Sequence, residues 1–230
     1  MSELGPLLAS GRDADIFEYG ATQVLRRSRN ARSMVREARI MEFVQSHGYP
    51  IPRVDHVSAD GTELIMEKIS GVNMVDALTA TPWKARRFGR MLAELHTQLH
   101  ELSGPEWLPA APCGVGSQLL HMDLHPLNVM MSSRGPIVID WTNAARGDPI
   151  IDVVLTWALI SAGEVPTSGV KGKLTGLIRS RLVRGFAGAF DRDEVGREVD
   201  AVVEWKSKDP NMSESEVSSM RAFAQSLITK

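Results

Sequence analysis

Strand signals and helix signals are segregated along this chain, and that segregation constrains the fold more than any other feature. In the first third, short apolar runs are bounded by glycine and proline. Pro6–Ser10 runs into Gly11, Ala14–Tyr19 reads as extended, Gly20-Ala21-Thr22 as a turn, and Gln23–Arg27 as a third strand. An antiparallel meander follows from that order. Asn30 is the expected cap of a helix reaching about Ser46 and ended by His47-Gly48, with Met34, Ala38 and Met41 at helical spacing. Pro50–Val54 leads into a fourth strand, and Gly61 turns the chain into a fifth, Glu63–Glu67. Thr81-Pro82 then opens a helix from about Trp83 to Leu102, and 118–141 reads as strand and loop. Helices are expected at about 149–162, 170–190, 194–206 and 213–228. Strands first and helices after predict an α+β chain of two lobes. A small antiparallel-sheet lobe with one helix, 1–70, is joined by one crossing strand to a larger, mostly helical lobe, 71–230.

Composition removes several function classes. Apolar residues make up 43% and charged residues 23%, which a disordered chain does not show. The 26 Lys+Arg against 28 Asp+Glu leave a charge of −2, so bulk attraction to nucleic acid or to an anionic membrane is not expected. The single cysteine, Cys113, allows no intrachain disulfide, and no metal-type Cys/His spacing occurs. MSELGPLLAS is too short and too weakly apolar for a signal peptide, and no apolar run has the length of a membrane span. A cytoplasmic globular protein is the expectation.

The most informative stretch is His121-Met122-Asp123-Leu124-His125-Pro126-Leu127-Asn128, followed by Pro136-Ile137-Val138-Ile139-Asp140-Trp141. Asp123 and Asn128 stand five apart in a loop, and Asp140 lies just past an apolar strand. Phosphoryl transfer needs a carboxylate to take the proton of the attacking hydroxyl, and hard oxygen ligands to hold Mg²⁺ on the phosphates. Both must be rigidly placed, because positioning and charge neutralisation do most of the catalysis. The order His-x-Asp-Leu-x-x-x-Asn matches the kinase catalytic loop, in which the Asp is the base and the Asn a metal ligand.

Taken with Gly147-Asp148-Pro149 and Asp152, these residues resemble the aminoglycoside phosphotransferase family, the kinase-like group that includes choline kinases. The resemblance runs from about Leu8 to Leu159. It implies a protein kinase-like two-lobed fold, with ATP and Mg²⁺ bound in the cleft. Carried over residue by residue, it makes Asp123 the catalytic base and Asn128 and Asp140 the Mg²⁺ ligands. It has Asp152 brace the catalytic loop. His121 and His125 are expected to stiffen the loop, Asp148 to cap the helix at Pro149, and Trp141 to pack.

In this fold a strand cation contacts the phosphates and pairs with a helix glutamate. Here Val24-Leu25-Arg26 stands where the family has a lysine. Alternation puts Val24 and Arg26 on one strand face, Val24 against adenine and Arg26 toward phosphate. Glu37, three after Met34 and three before Ile40, shares their inward side and is the expected partner of Arg26. The phosphate loop falls between Ser10 and Asp15, with Gly11 its one glycine. Adenine is expected on the backbone of Glu67, Lys68 and Ile69.

The expected partner is a small-molecule acceptor bearing a hydroxyl. Between Phe186 and Glu216 nine acids face four bases, a balance of −5 that suits a cationic amino sugar or amino alcohol. The other reading of the chain is a nucleotide-binding pseudokinase with a regulatory role, motivated by Arg26 and the glycine-poor loop.

Overall fold

The computed structural model describes residues 4–11, 13–162, 169–210 and 212–228. In chain order the elements are β1 (Leu4–Ser10), β2 (Ala14–Tyr19), β3 (Gln23–Ser28), α1 (Val35–Ser46), β4 (Val54–Val57), β5 (Glu63–Glu67), β6 (Gly71–Asn73), α2 (Met74–Ala80) and α3 (Ala85–His100). They continue with β7 (Gln118–Leu120), β8 (Val129–Ser132), β9 (Gly135–Val138), β10 (Ala145–Gly147), α4 (Pro149–Ala162), α5 (Gly169–Ala187), α6 (Arg192–Lys206) and α7 (Glu214–Ile228). The mixed α+β class expected from the sequence is what folds. Among the described residues no helix is long and apolar enough to cross a membrane.

The chain divides into two compact units. The first takes the chain up to Val72 together with Met130–Thr142, and the second takes Asn73–Val129 and everything from Asn143 on. In the first unit a five-stranded antiparallel sheet has the order β1-β2-β3-β5-β4. α1 buries Ala38, Ile40, Met41 and Val44, an apolar stripe at helical spacing, and Glu37 is buried in the same stripe. Asn30 does not cap this helix. Its N-cap is Met34, without a side-chain bond. Residues 29–34 are fixed otherwise: Ala31 has a positive φ, Arg32 N donates to Ser28 Oγ, and Met34 N donates to the Gly61 carbonyl. β8 and β9 join β6 in a three-stranded sheet, which brings Ile139–Thr142 to the first unit.

In the second unit α4 is buried almost all round, as a central core helix must be, and α5, α6 and α7 pack against it. The helix expected from Trp83 begins at Ala85, after a 3-10 turn at Pro82–Lys84. α2 has no counterpart in the sequence reading. Its signal is Asn73, whose Oδ1 accepts from Asp76 N at 2.9 Å while its Nδ2 donates to the Asp76 carboxylate at 2.7 Å.

α3 and α5 cross at Gly89 and Gly185. A Cβ on Gly89 would overlap the Leu182 carbonyl, and one on Gly185 would overlap the Arg86 carbonyl, so the two backbones themselves touch. In an isolated helix Gly→Ala stabilises by about 1 kcal/mol. Gly89→Ala is expected to do the reverse here, lowering stability by about 1–3 kcal/mol, because the helices must separate to admit the methyl. Urea denaturation reads the sign directly.

Candidate active site

The loop 121–128 is built from the second unit alone. β7 delivers the chain to His121 and pairs with β10. The Asp148 carboxylate accepts from Ile150 N at 3.0 Å and starts α4, which places Asp152 one turn in. Asp152 is fully buried. Its Oδ2 accepts from His121 N at 2.9 Å and lies 3.2 Å from His100 Nε2, and its Oδ1 accepts from Met122 N at 2.9 Å. Thr156, one turn further on, donates to the Leu124 carbonyl at 2.8 Å. α4 therefore grips the loop on both sides of Asp123.

That grip holds a strained backbone. Met122 has φ +63°. A non-glycine residue in the left-handed region costs about 1–2 kcal/mol. Such a residue persists where its surroundings over-determine it, and functional sites are where this is found. The reversal at Met122 presents Asp123, whose side chain is about one quarter exposed. Asn128 Nδ2 donates to the Asp123 carbonyl at 2.9 Å and to its carboxylate at 3.2 Å. With its amide nitrogen so used, Asn128 offers its oxygen as the ligand end. His125 Nδ1 accepts from Leu127 N at 3.3 Å, which assigns the ring proton of the neutral form to Nε2. Nε2 lies 3.5 Å from Asp123 Oδ1, an electrostatic contact. His121 is fully buried under the loop.

The nucleotide-side candidates come together within the first unit. Val24 and Arg26 on β3 are both buried, and Arg26 Nη1 donates to the buried Glu37 carboxylate in a close ion pair. Arg26 Nη2 reaches Asp140 Oδ1 at 3.2 Å and Thr142 Oγ1 at 3.3 Å, and Thr142 Oγ1 lies 3.0 Å from Glu37 Oε2 and 2.9 Å from Asp140 Oδ1, its single proton serving one carboxylate at a time. Asp140 has φ +64° and a side chain 43% exposed, so a second strained residue carries the other acidic motif. Burial acts to lower the Arg26 pKa, but Glu37 and Asp140 outweigh it and hold the guanidinium above its usual value. Burial pushes the Glu37 carboxyl above the usual range against the pull of Arg26. Arginine therefore stays charged throughout. Trp141 packs edge-on to Tyr49. Thr142 had no sequence signal, since a hydroxyl two residues past an aspartate is common.

Of the three backbone positions expected at adenine, two N–H groups are committed to protein carbonyls: Glu67 N to Arg53 and Lys68 N to Thr22. In the expected phosphate loop, Gly11 N bonds the Ala14 carbonyl in a tight hairpin, and Arg12 lies outside the described residues. Arg29 and Ser10 hold the Asp15 carboxyl below its ordinary value, so that acid is already balanced. Much of the acidic balance near the C-terminus is local structure. Asp191 caps α6, Glu216 and Ser213 cap α7 reciprocally, and Glu204 and Asp209 pair with Lys208 and Lys206.

A hard amide oxygen and a hard carboxylate are the donors that Mg²⁺ takes, so Asn128 and Asp140 fit that ion chemically. Residues 105–177, the segment carrying the loop and α4, match the family model described as "Phosphotransferase enzyme family". This segment is similar in sequence to that family. The resemblance read from His121–Asn128 and Gly147–Asp152 is the same family. A sequence search of curated proteins finds no match. Solved structures share the fold. A choline/ethanolamine kinase family protein from Mesorhizobium loti superposes with TM-score 0.61 at 16% identity, covering 98% of this chain and 89% of that one. An aminoglycoside 2'-phosphotransferase in a GDP complex gives 0.60 at 15%, covering 99% and 88%. A thermostable aminoglycoside phosphotransferase in ternary complex with AMP-PNP and hygromycin B gives 0.59 at 14%, covering 100% and 94%. The kinase-like fold is thus common to this chain and these enzymes.

Proposed function

We propose that this chain is a Mg²⁺-dependent small-molecule kinase that moves the γ-phosphate of ATP to a hydroxyl of its acceptor. The observation that carries the reading is the loop itself: Asp123 and Asn128 bonded to each other on a backbone that Asp152 grips. The acceptor oxygen attacks the γ-phosphorus, the bond to the bridging oxygen breaks, ADP leaves, and the hydroxyl proton passes to Asp123. Asn128 and Asp140 are the residues whose hard oxygens would hold Mg²⁺, and the ion would supply charge neutralisation on the phosphates. Arg26 adds a fixed cation, with Glu37 and Thr142 orienting it. Val24 packs on adenine, whose backbone contacts fall to Ile69 N–H and the carbonyls of Glu67–Ile69. Relatives in fold named for choline or ethanolamine, or crystallised with hygromycin B, support an amino alcohol or amino sugar as acceptor.

Mg·ATP turnover over a panel of amino alcohols, amino sugars and nucleosides tests this reading, with acceptor-dependent ADP release as the expected result. Absence of both binding heat and a thermal shift at millimolar Mg·ATP would sink it. The pseudokinase reading keeps one observation in its favour: Arg26 spends its guanidinium on both Glu37 and Asp140. Nucleotide binding without turnover over the whole panel would select it.

Arg26 gives a sharper test. Arg26→Ala should lower kcat/KM by about 10²-fold or more, since a desolvated cation on phosphate is a charge-assisted contact. Arg26→Lys should recover only part of that loss, because lysine lacks the fork that reaches Glu37 and Asp140 together. Full recovery in the lysine enzyme would mean that charge alone matters.

A further inference from the structure

His96 and His100 stand one turn apart on α3, and Asp152 faces them from α4. One ligand atom from each lies within 4.8 Å of the others. His100 Nε2 is 3.2 Å and His96 Nδ1 is 3.7 Å from the same oxygen, Asp152 Oδ2. His96 Nε2 lies 3.3 Å from the Leu124 carbonyl, which can only accept, so the ring proton sits on Nε2. Nδ1 then presents a lone pair toward a carboxylate. It is fully buried and has no hydrogen-bond partner. His96 Nδ1 thus faces Asp152 Oδ2 with no proton between them, while His100 Nε2 meets the same oxygen in a hydrogen bond that a metal would replace.

The spacing suits a metal. Four ligands at about 2.0–2.1 Å around tetrahedral zinc stand about 3.3 Å apart, and the two distances to Asp152 Oδ2 bracket that edge. The outer contacts suit one as well. Ligating histidines commonly donate their other N–H to a backbone carbonyl, and ligating carboxylates are themselves hydrogen-bonded. His96 does the first through Leu124, and Asp152 does the second through His121 N and Met122 N. Mixed N/O donors with two imidazoles favour zinc over the hard Mg²⁺.

We propose that His96, His100 and Asp152 bind one Zn²⁺ that ties α3 to α4 and stiffens the catalytic loop through Asp152. This site is separate from Asn128 and Asp140 and does not depend on the kinase reading.

The test uses the full chain, dialysed against chelator and titrated with Zn²⁺ alone by calorimetry, with melting followed in parallel. The expected result is one equivalent bound, a raised Tm, and visible d–d bands when Co²⁺ replaces Zn²⁺. His96→Phe removes one ligand while filling space beside Phe186 and Phe190. His100→Gln removes another while keeping a donor toward Asp152. Each should weaken Zn²⁺ binding by about 100-fold or more, measured on chains whose metal-free spectra show them folded. Uptake below a tenth of an equivalent by the wild-type chain overturns the proposal, and so does equal binding by wild type and a folded His100→Gln chain.

Discussion

Asp123→Asn is expected to lower turnover by about 10²–10⁴-fold, the usual range for loss of a general base, with Mg·ATP affinity nearly unchanged. Asparagine keeps the shape of the side chain and can still accept from Asn128, so the loop need not move. What it loses is the capacity to take a proton from the attacking hydroxyl. Asp140→Ala should behave in the opposite way. It removes a hard oxygen ligand and half of the anionic support of Arg26, so metal-dependent nucleotide binding itself should fail. The pair of variants separates the two roles. Calorimetry with Mg·ATP against acceptor-dependent ADP release shows it, and equal loss of binding in both would contradict the assignment.

How much of this was legible in the sequence varies with the kind of signal. Asp123, Asn128 and Asp140 stand out as candidates in the sequence because phosphoryl transfer restricts residue type and spacing together. Arg26 and Glu37 were legible because each follows a period, two along β3 and three to four along α1, and the structure joins them in a buried pair. Asp152 was legible as an acid among Ile150, Ile151, Val153 and Val154, where only a partnered carboxylate can be buried. Thr142 carries no pattern of its own, since its position depends on the reversal at Asp140. The two backbone reversals, at Met122 and Asp140, are invisible for the same reason: tertiary bonds impose them against local preference.

The fold shows the same division. Helix ends at Pro149, Ala162, Lys206 and Ile228 follow from periodicity and capping. The start of α1 does not, because Met34 N is fixed by the Gly61 carbonyl on a distant turn rather than by a capping side chain. His96 and His100 stand on the inward face of α3, which Phe88, Leu92, Leu95 and Leu99 make apolar. The sequence reading finds no metal-type spacing here, because an i, i+4 histidine pair gains significance only from the residue that faces it, and Asp152 arrives from 52 positions beyond His100.

Asp152→Ala should cost about 3–5 kcal/mol, the range for removing one partner of a buried charged cluster. The carboxylate serves two backbone N–H groups and His100 at once. Without it those donors are buried with no acceptor, and the left-handed backbone at Met122 loses what holds it. Asp152→Asn should recover little, because its amide NH₂ would point a donor at donors. Urea midpoints of the two variants measure this. A folded Asp152→Ala chain should also lose kcat more than Mg·ATP affinity, since the loop that moves carries Asp123, the proposed base. Acid gives an independent check on the chelator-treated chain. Burial acts to raise the Asp152 pKa, but the His100 hydrogen bond and neighbouring imidazoles override it and leave the carboxyl below its usual range. A carboxyl depressed in the folded state contributes stability that is complete above its unfolded pKa. That stability should therefore fall away below about pH 4, by up to about 1.4 kcal/mol per pH unit. The Asp152→Ala chain, having no such group to protonate, should show a shallower acid limb, and parallel limbs would mean that Asp152 is not the group being titrated.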